Sequence, residues 1–151
     1  MLEVEKPADM AARVGKEIGT SEWVLIDQEM INKFDDATGD HQWIHVDVER
    51  AKREMPGGKT IAHGFLTLSL LPKLGASIYR IRNSSRGINY GSDRVRFTSP
   101  VQVGSRVRLQ YKLKKVEPIE GGQRLIFDSI VEIEGQPRPA LVAETIFLAY
   151  D

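Results

Sequence analysis

The stretch that most constrains the fold is residues 60–75, TIAHGFLTLSLLPKLG, because it is apolar on nearly every side of a helix. Its large apolar residues are Phe65, Leu66, Leu68, Leu70, Leu71 and Leu74. A helix that is hydrophobic all round is stable only where other parts of the protein cover it. Pro72 would cost about 3 kcal/mol inside a regular helix, which predicts a kink or a break near residues 68–71. The rest of the chain must therefore wrap this segment.

The second half of the chain supplies such a cover, because it contains four strand-like segments. They span residues 87–97, 105–117, 124–134 and 140–150. Turn signals separate them at Ser99-Pro100, at Gly121-Gly122 and at residues 135–139, which favours antiparallel neighbours. A chain of 151 residues has the size of one domain. The sequence therefore predicts a single α+β domain over residues 1–151, with a long central helix wrapped by a curled antiparallel sheet, which is the hotdog arrangement.

The first half of the chain predicts short helices and one strand. The expected elements are a helix and turn in residues 1–20, a first strand at 21–26, a helix at 27–38 and a short helix at 48–53. Asp27 and Asp47 stand at the N-cap positions of the last two. Gly39 ends the first of them, since glycine readily takes the left-handed conformation that closes a helix.

Asp40 and His45 are the candidate catalytic pair. Five positions on a continuous helix would set their side chains about 140° apart, so their convergence requires the turn at Gly39 and then an extended Trp43-Ile44 step. A carboxylate and a neutral imidazole on one water molecule suit general acid–base catalysis. The alternative is ordinary turn chemistry beside a buried histidine that bonds a backbone carbonyl.

His63-Gly64 stands where the buried helix is expected to begin. A free N–H of Gly64 at that helix start could stabilise negative charge on a substrate oxygen, and the missing side chain would let that oxygen approach closely. The alternative is that glycine allows the helix start to pack tightly against the sheet.

Two further groups of residues were weighed as binding sites. His41 and His45 with Asp40 and Asp47 have ligand types and spacing that a metal could use, but Gly39 and the extended step argue against a helical ligand pair, so no metal is expected. Arg94 and Arg96 alternate on one predicted strand face, and Arg106 and Arg108 repeat the pattern. Such a face is either solvated or suited to phosphate groups.

Composition excludes several classes of function. The chain has 21 basic and 21 acidic residues, so it lacks the positive charge that nucleic-acid binding requires. It has no cysteine, which excludes disulfides, thiolate nucleophiles and cysteine-bound metals. The N-terminus lacks the pattern of a signal peptide, and no window has the length of a membrane span. We expect a cytoplasmic protein that binds neither nucleic acid nor membrane.

The segment FDDATGDHQWIHVD at residues 34–47, with IAHGF at 61–65, resembles the signature of the MaoC-like dehydratases, a hotdog family that includes the R-specific enoyl-CoA hydratases. The resemblance continues through NYGSDRVRFTSPVQVGSRV at residues 89–107. The family pattern commonly has Asn and Pro where this chain has Gln42 and Trp43. Asp40 and His45 stay in register despite these changes.

This resemblance implies a reaction and a set of site residues. The reaction is reversible hydration of a trans-2-enoyl-CoA to the R-3-hydroxyacyl-CoA, with Asp40 and His45 activating the water and no cofactor. The implied substrate-binding residues are Gln42, Ala62, His63, Gly64, Asn89, Tyr90, Gly91, Arg94 and Arg96. It also implies a homodimer with the acyl pocket near the subunit interface, which agrees with the edge strand that one curled sheet leaves exposed.

Two alternatives use the same groove. One is a module that binds an acyl thioester without turnover, and the other is a thioesterase, since other hotdog proteins hydrolyse thioesters with a carboxylate. The sequence leaves open the acyl chain length, the choice between CoA and an acyl carrier protein, and the pathway served. A shared water also permits either Asp40 or His45 to act as the base. His41 has no expected role in proton transfer.

Overall fold

A computed structural model describes all 151 residues and shows an α+β hotdog fold. The strands are β1 Leu2–Val4, β2 Glu17–Thr20, β3 Val24–Leu25, β4 Tyr79–Ile81, β5 Arg86–Phe97, β6 Arg106–Ile119, β7 Gly122–Ile133 and β8 Leu141–Tyr150. The helices are α1 Gln28–Thr38, α2 Trp43–Val46, α3 Val48–Glu54, α4 Gly64–Ser69 and α5 Leu71–Gly75, with 3-10 helices at Pro7–Arg13 and Pro56–Gly58. None of the helices combines the length and hydropathy that a membrane crossing needs.

The main sheet is antiparallel, with strand order β2-β6-β7-β8-β5, and β3 pairs with the first residues of β6. Strands β6, β7 and β8 pair along most of their length at its centre, with Leu113 opposite Phe127 and Ile126 opposite Ile146. A small parallel pair of β1 and β4 lies apart from this sheet. The order places β5 at one edge, and all of its residues except Val95 are exposed or nearly so.

The core lies between the sheet and the helices α4 and α5. Leu66, Leu71 and Leu74 of these helices belong to the same buried cluster as Leu113 and Phe127 of the sheet. Burying a leucine or phenylalanine fully contributes about 1.5–3 kcal/mol, so this cluster is the main force that holds the helices in the curl of the sheet. The four long strands predicted in the second half are confirmed.

The central helix is divided as Pro72 predicted. Helix α4 ends at Ser69, and α5 begins at Leu71 with Pro72 in its first turn, where a missing N–H costs no hydrogen bond. The helix also starts later than Thr60, because Ala62 donates to the carbonyl of Val101 and Ile61 forms an extended bridge to Gln102. The helix is not buried on every side, because Ser69, Pro72 and Lys73 are exposed. Among its large apolar residues Phe65 is 66% exposed.

Two local predictions in the first half were wrong. The Trp43-Ile44 step is not extended, because these residues open the single helical turn α2, closed by the N–H of Asp47 on the carbonyl of Trp43. The strand predicted at residues 21–26 is shorter and comes third. At the start of the predicted range, Ser21 is not part of a strand. Its side-chain hydroxyl accepts a hydrogen bond from the N–H of Leu109 at 2.8 Å.

Candidate active site

The turn after α1 presents Asp40. Asp27 caps the start of that helix by accepting the N–H of Met30 at 2.9 Å. Gly39 ends it with φ of 76°, in the left-handed region, and donates its N–H to the carbonyl of Asp35. The chain therefore reverses at Gly39, as the sequence predicted, and leaves the side chain of Asp40 exposed.

His45 lies in α2 and is 6% exposed. Its Nδ1 is 2.7 Å from the carbonyl oxygen of Ile61, and because a carbonyl only accepts, Nδ1 must carry the proton. Its own carbonyl accepts from the amide of Gln28, which also accepts from the hydroxyl of Thr60. In the neutral ring Nε2 is therefore the free acceptor, which is the form that a general base needs.

His63 precedes α4 and is 2% exposed. Its ring stacks on that of His45, with centroids 3.8 Å apart and planes 25° apart. The ring of Phe34 is tilted against it, with centroids 5.0 Å apart. Nε2 of His63 donates to the carbonyl of Asp40 at 3.0 Å. His63 therefore connects the backbone of one predicted catalytic residue to the ring of the other.

Asp40 contributes a carboxylate oxygen, and His45 and His63 each contribute a ring nitrogen. These three atoms lie within 4.8 Å of one another. A water with hydrogen bonds of ordinary length can join two groups at this spacing. By distance alone the same three side chains could also hold a metal ion. The four residues considered as metal ligands from the sequence, His41 and His45 with Asp40 and Asp47, do not form one cluster. His41 pairs with Asp35, and Asp47 caps α3 by accepting the N–H of Arg50.

The surroundings of Gly64 agree with both roles considered for it, which are a donor to a negatively charged oxygen and tight packing of the helix start. Its N–H donates to no acceptor in the chain, as an oxyanion donor requires. A Cβ at this position would also lie 2.9 Å from the ring of Phe97 on β5, so the glycine has a packing reason as well. Phe97 in turn meets Phe65 edge to face, with ring centroids 5.6 Å apart, and both rings are largely exposed.

The other predicted substrate-binding residues divide into two groups. Gln42 is exposed at the start of α2, between Asp40 and His45 in the chain. Ala62 is buried and directly precedes His63, whose ring stacks on that of His45. The other five residues lie on β5. They are Asn89, Tyr90, Gly91, Arg94 and Arg96, and none of them forms a hydrogen bond with Asp40 or His45.

Asn89 and Gly91 line a cavity of about 730 Å³ between α4–α5 and the sheet. Leu68 and Ser69 of α4 belong to the same wall, whereas Asp40 and His45 do not. Tyr90 sits at a bulge in β5 and is exposed, with the guanidinium of Arg124 5.0 Å from its ring centroid. Asp40 and His45 therefore lie outside this cavity.

The arginines also depart from the predicted alternation. A register shift lies between Asp93 and Arg96, and Arg94 has φ of 53°, so the two arginines do not repeat regularly along one face. Arg94 lines a separate groove on the sheet.

The arginines of β6 are committed to structural pairs. Arg106 pairs with Glu134 at 3.2 Å and Arg108 pairs with Glu132, and both guanidinium groups lie over the ring of Trp23. Their pattern therefore marks a paired strand face and not a phosphate site.

Sequence reasoning missed Asp35, a carboxylate on α1 that is 4% exposed. One oxygen accepts from Nδ1 of His41, and the other lies 3.7 Å from Nε2 of His63. The available signal was its position four residues after the buried Ile31, on the apolar stripe of the helix.

Comparison with known proteins places these features in a family. Residues 9–130 match the family described as MaoC like domain. A 3-hydroxyacyl-thioester dehydratase Z of Mycobacterium tuberculosis is 51% identical over 147 residues, which cover 97% of each chain. Nodulation protein N of Rhizobium leguminosarum bv. viciae is 51% identical over 142 residues, covering 92% of this chain and 88% of the relative. The solved R-hydratase PhaJ1 from Pseudomonas aeruginosa aligns with a TM-score of 0.74 and 21% identity, over 91% of this chain and 82% of that one.

Proposed function

This chain belongs to the MaoC-like dehydratase family, and on that premise we propose that it is a hydro-lyase that interconverts trans-2-enoyl-CoA and R-3-hydroxyacyl-CoA. The observation that carries the proposal is the short distance between Asp40 and His45. A carboxylate oxygen of Asp40 and a ring nitrogen of His45 lie within 4.8 Å, close enough to share one water. The relative named as a 3-hydroxyacyl-thioester dehydratase supports the substrate class.

We propose a separate part for each member of the pair. With Nδ1 held by the carbonyl of Ile61, His45 offers Nε2 as the acceptor for a proton of the water. The carboxylate of Asp40 accepts the second hydrogen bond of that water and orients it. As the water oxygen bonds to Cβ, the pair takes one proton and returns it to Cα, so the enzyme ends in its starting state. Dehydration is the reverse.

The negative charge that develops on the thioester oxygen needs a donor. The N–H of Gly64 is free and stands directly after His63, whose ring lies on His45. A donor that is already in place costs no reorganisation when the charge appears. We assign Gly64 this role in addition to its packing against Phe97.

The acyl chain would occupy the cavity of about 730 Å³. At a rise of about 1.5 Å per residue, Ser69 in its wall lies about 7.5 Å along the helix from Gly64. An acyl chain bound by its carbonyl at Gly64 could therefore follow α4 to Leu68 and Ser69, where Asn89 and Gly91 form the opposite side. Arg94 and Arg96 are assigned to the phosphates of CoA. Arg96 donates to the carbonyl of Val95, and Arg94 shares its groove with Asp128 and Glu144.

A second copy of the chain would complete the site. The edge strand β5 exposes Ile88, Tyr90 and Phe97, and Phe97 packs directly on Gly64. A long exposed edge with apolar side chains is covered most simply by an identical edge related by twofold symmetry. The proposed homodimer therefore places its interface beside the reacting carbon.

Incubation with crotonyl-CoA and longer 2-enoyl-CoAs tests the proposal. We expect the absorbance of the conjugated thioester to fall while a thiol reagent detects no free CoA. The product should resist an S-specific 3-hydroxyacyl-CoA dehydrogenase. Release of free CoA would instead indicate a thioesterase, and binding of saturated acyl-CoA without any turnover would indicate a binding module. Repeating the assay with the same acyl group on an acyl carrier protein identifies the carrier.

A further inference from the structure

The buried carboxylate of Asp35 takes no part in the proposed proton transfer. Only one of its oxygens is paired, with Nδ1 of His41, and Oδ1 has no hydrogen-bond partner in the protein. Burying a carboxylate is costly unless charge partners and hydrogen bonds compensate it. An apolar residue on this stripe of α1 would avoid that cost, so the carboxylate calls for an explanation beyond packing.

Asp35 holds the turn that carries Asp40 from both sides. Its backbone carbonyl accepts the N–H of Gly39 at 2.8 Å, just before Asp40. Its side chain accepts from His41, just after Asp40. Because the side chain of Asp40 is exposed, its direction depends on where these flanking residues fix the backbone.

Asp35 also acts on His63. Its free Oδ1 lies 3.7 Å from Nε2 of His63, the nitrogen that donates to the carbonyl of Asp40. A negative charge at that distance favours the tautomer with the proton on Nε2. The carbonyl of Asp40 requires the proton on the same nitrogen, so the charge of Asp35 adds to that preference. The other ring nitrogen, Nδ1, is buried without a partner and offers no competing contact. The same ring stacks on His45.

We propose that Asp35 is a positioning residue for the Asp40–His45 pair, acting through His41 and His63 without touching the substrate. This inference rests on the proposed hydration reaction for its kinetic readout. Its structural readout, the protonation of the His63 ring, is independent of any activity.

Kinetics of Asp35→Asn on the full-length protein provide the first test. Asparagine has the same shape and can still accept from His41, but it lacks the charge that orients His63. We expect kcat for hydration to fall about tenfold or more, since small misplacements of catalytic groups have effects of this size, while KM changes less than twofold. Asp36→Asn, on the exposed neighbour, is the matched control and should keep wild-type values.

His41 provides the second kinetic test. His41→Ala should lower kcat in the wild-type background and do much less in an Asp35→Ala background, because Asp35→Ala already removes the contact with His41. His41→Gln, which keeps a donor, should restore part of the loss. Wild-type kcat in Asp35→Asn would overturn the proposal, as would fully additive effects of the two changes.

Nitrogen-15 NMR of the imidazoles supplies the independent readout. The chain contains three histidines, so their ring signals can be assigned by single substitutions. In the wild type we expect His63 protonated at Nε2, where the carbonyl of Asp40 and the charge of Asp35 act together. Asp35→Asn keeps only the carbonyl, so we expect a larger share of the Nδ1-protonated form, with the fold intact by circular dichroism. An unchanged His63 tautomer would contradict the proposal. If the wild type shows no hydration while the tautomer shifts as expected, the proposed function fails and the positioning contact stands.

Discussion

The rings of His45 and His63 stack with centroids 3.8 Å apart, and each ring is fixed by a backbone carbonyl, that of Ile61 for His45 and that of Asp40 for His63. One carbonyl comes from the segment before α4 and the other from the turn after α1. The stack therefore couples two segments that are distant in sequence, and it sets the position of both proposed catalytic groups.

Substitution His63→Phe separates stacking from hydrogen bonding. Phenylalanine keeps an aromatic ring on His45 but cannot donate to the carbonyl of Asp40. The lost bond is worth about 1 kcal/mol of stability, so we expect the melting temperature to fall by about 2–4 °C. We expect kcat for enoyl-CoA hydration to fall as well, because the backbone of Asp40 loses a fixed contact. Phe34→Leu, which touches His63 without a hydrogen bond, is the control and should retain more activity. Equal rates for His63→Phe and the wild type would mean that the bond to Asp40 has no catalytic value.

Substitution Gly64→Ala tests packing and charge stabilisation together. The added Cβ would lie 2.9 Å from the ring of Phe97, and overpacking of this kind destabilises by about 1–3 kcal/mol. Denaturant unfolding should show this loss. In a Phe97→Ala background the clash disappears, so Gly64→Ala should then cost little stability. If its turnover is still low in that background, the glycine serves the thioester oxygen; full recovery of turnover would assign it to packing alone.

The proposed homodimer predicts sensitivity at the β5 edge. Ile88 is exposed on this strand, and a charge there would be buried on pairing with a second copy. Ile88→Asp should shift the protein from dimer to monomer in sedimentation velocity at micromolar concentration and lower its activity in parallel. Val14→Asp, on an exposed apolar residue after the first 3-10 helix, should leave the dimer intact. A wild type that is monomeric at this concentration would remove the dimer from the account.

The pair of His41 and Asp35 predicts a pH dependence of stability. The hydrogen bond from His41 to Asp35, with the charge of that carboxylate, raises the pKa of His41 above its ordinary value of 6.5. A raised folded-state pKa stabilises the protein fully below the unfolded-state pKa and loses that contribution as pH rises through the folded-state pKa. His41→Gln should therefore melt at a lower temperature than the wild type below about pH 6.5, and the difference should shrink in alkaline buffer. A difference that is constant with pH would show that charge is not involved.

The strands and helix ends followed from sequence because each has a local cause. Alternation predicted the four long strands, Asp27 and Gly39 marked the two ends of α1, and Pro72 marked the division of the central helix. The prediction of an extended Trp43-Ile44 step was wrong because a single helical turn has too few residues to show the helical period of the sequence. Its closure depends on one hydrogen bond from Asp47.

The site was predicted where its members are close in sequence or share the family motif. Asp40, His45, His63 and Gly64 come together as expected. Asp35 was missed because helical spacing does not reveal that a charged residue on the apolar stripe is buried and paired. The β5 residues Asn89 and Arg94 belong to an edge strand, and their relation to the pair depends on how far a bound thioester reaches and on the second copy, which one sequence does not specify.

Turnover of Asp40→Asn and His45→Ala measures the central claim most directly. Steady-state hydration of crotonyl-CoA should fall about a hundredfold or more in each variant, since positioned acid–base groups typically contribute 10²–10⁴. The double variant should be little worse than either, because both groups act on one water. A non-reactive saturated acyl-CoA should bind all three variants with near wild-type affinity. Near wild-type turnover in Asp40→Asn, or a loss in His41→Ala as large as that in His45→Ala, would contradict the account.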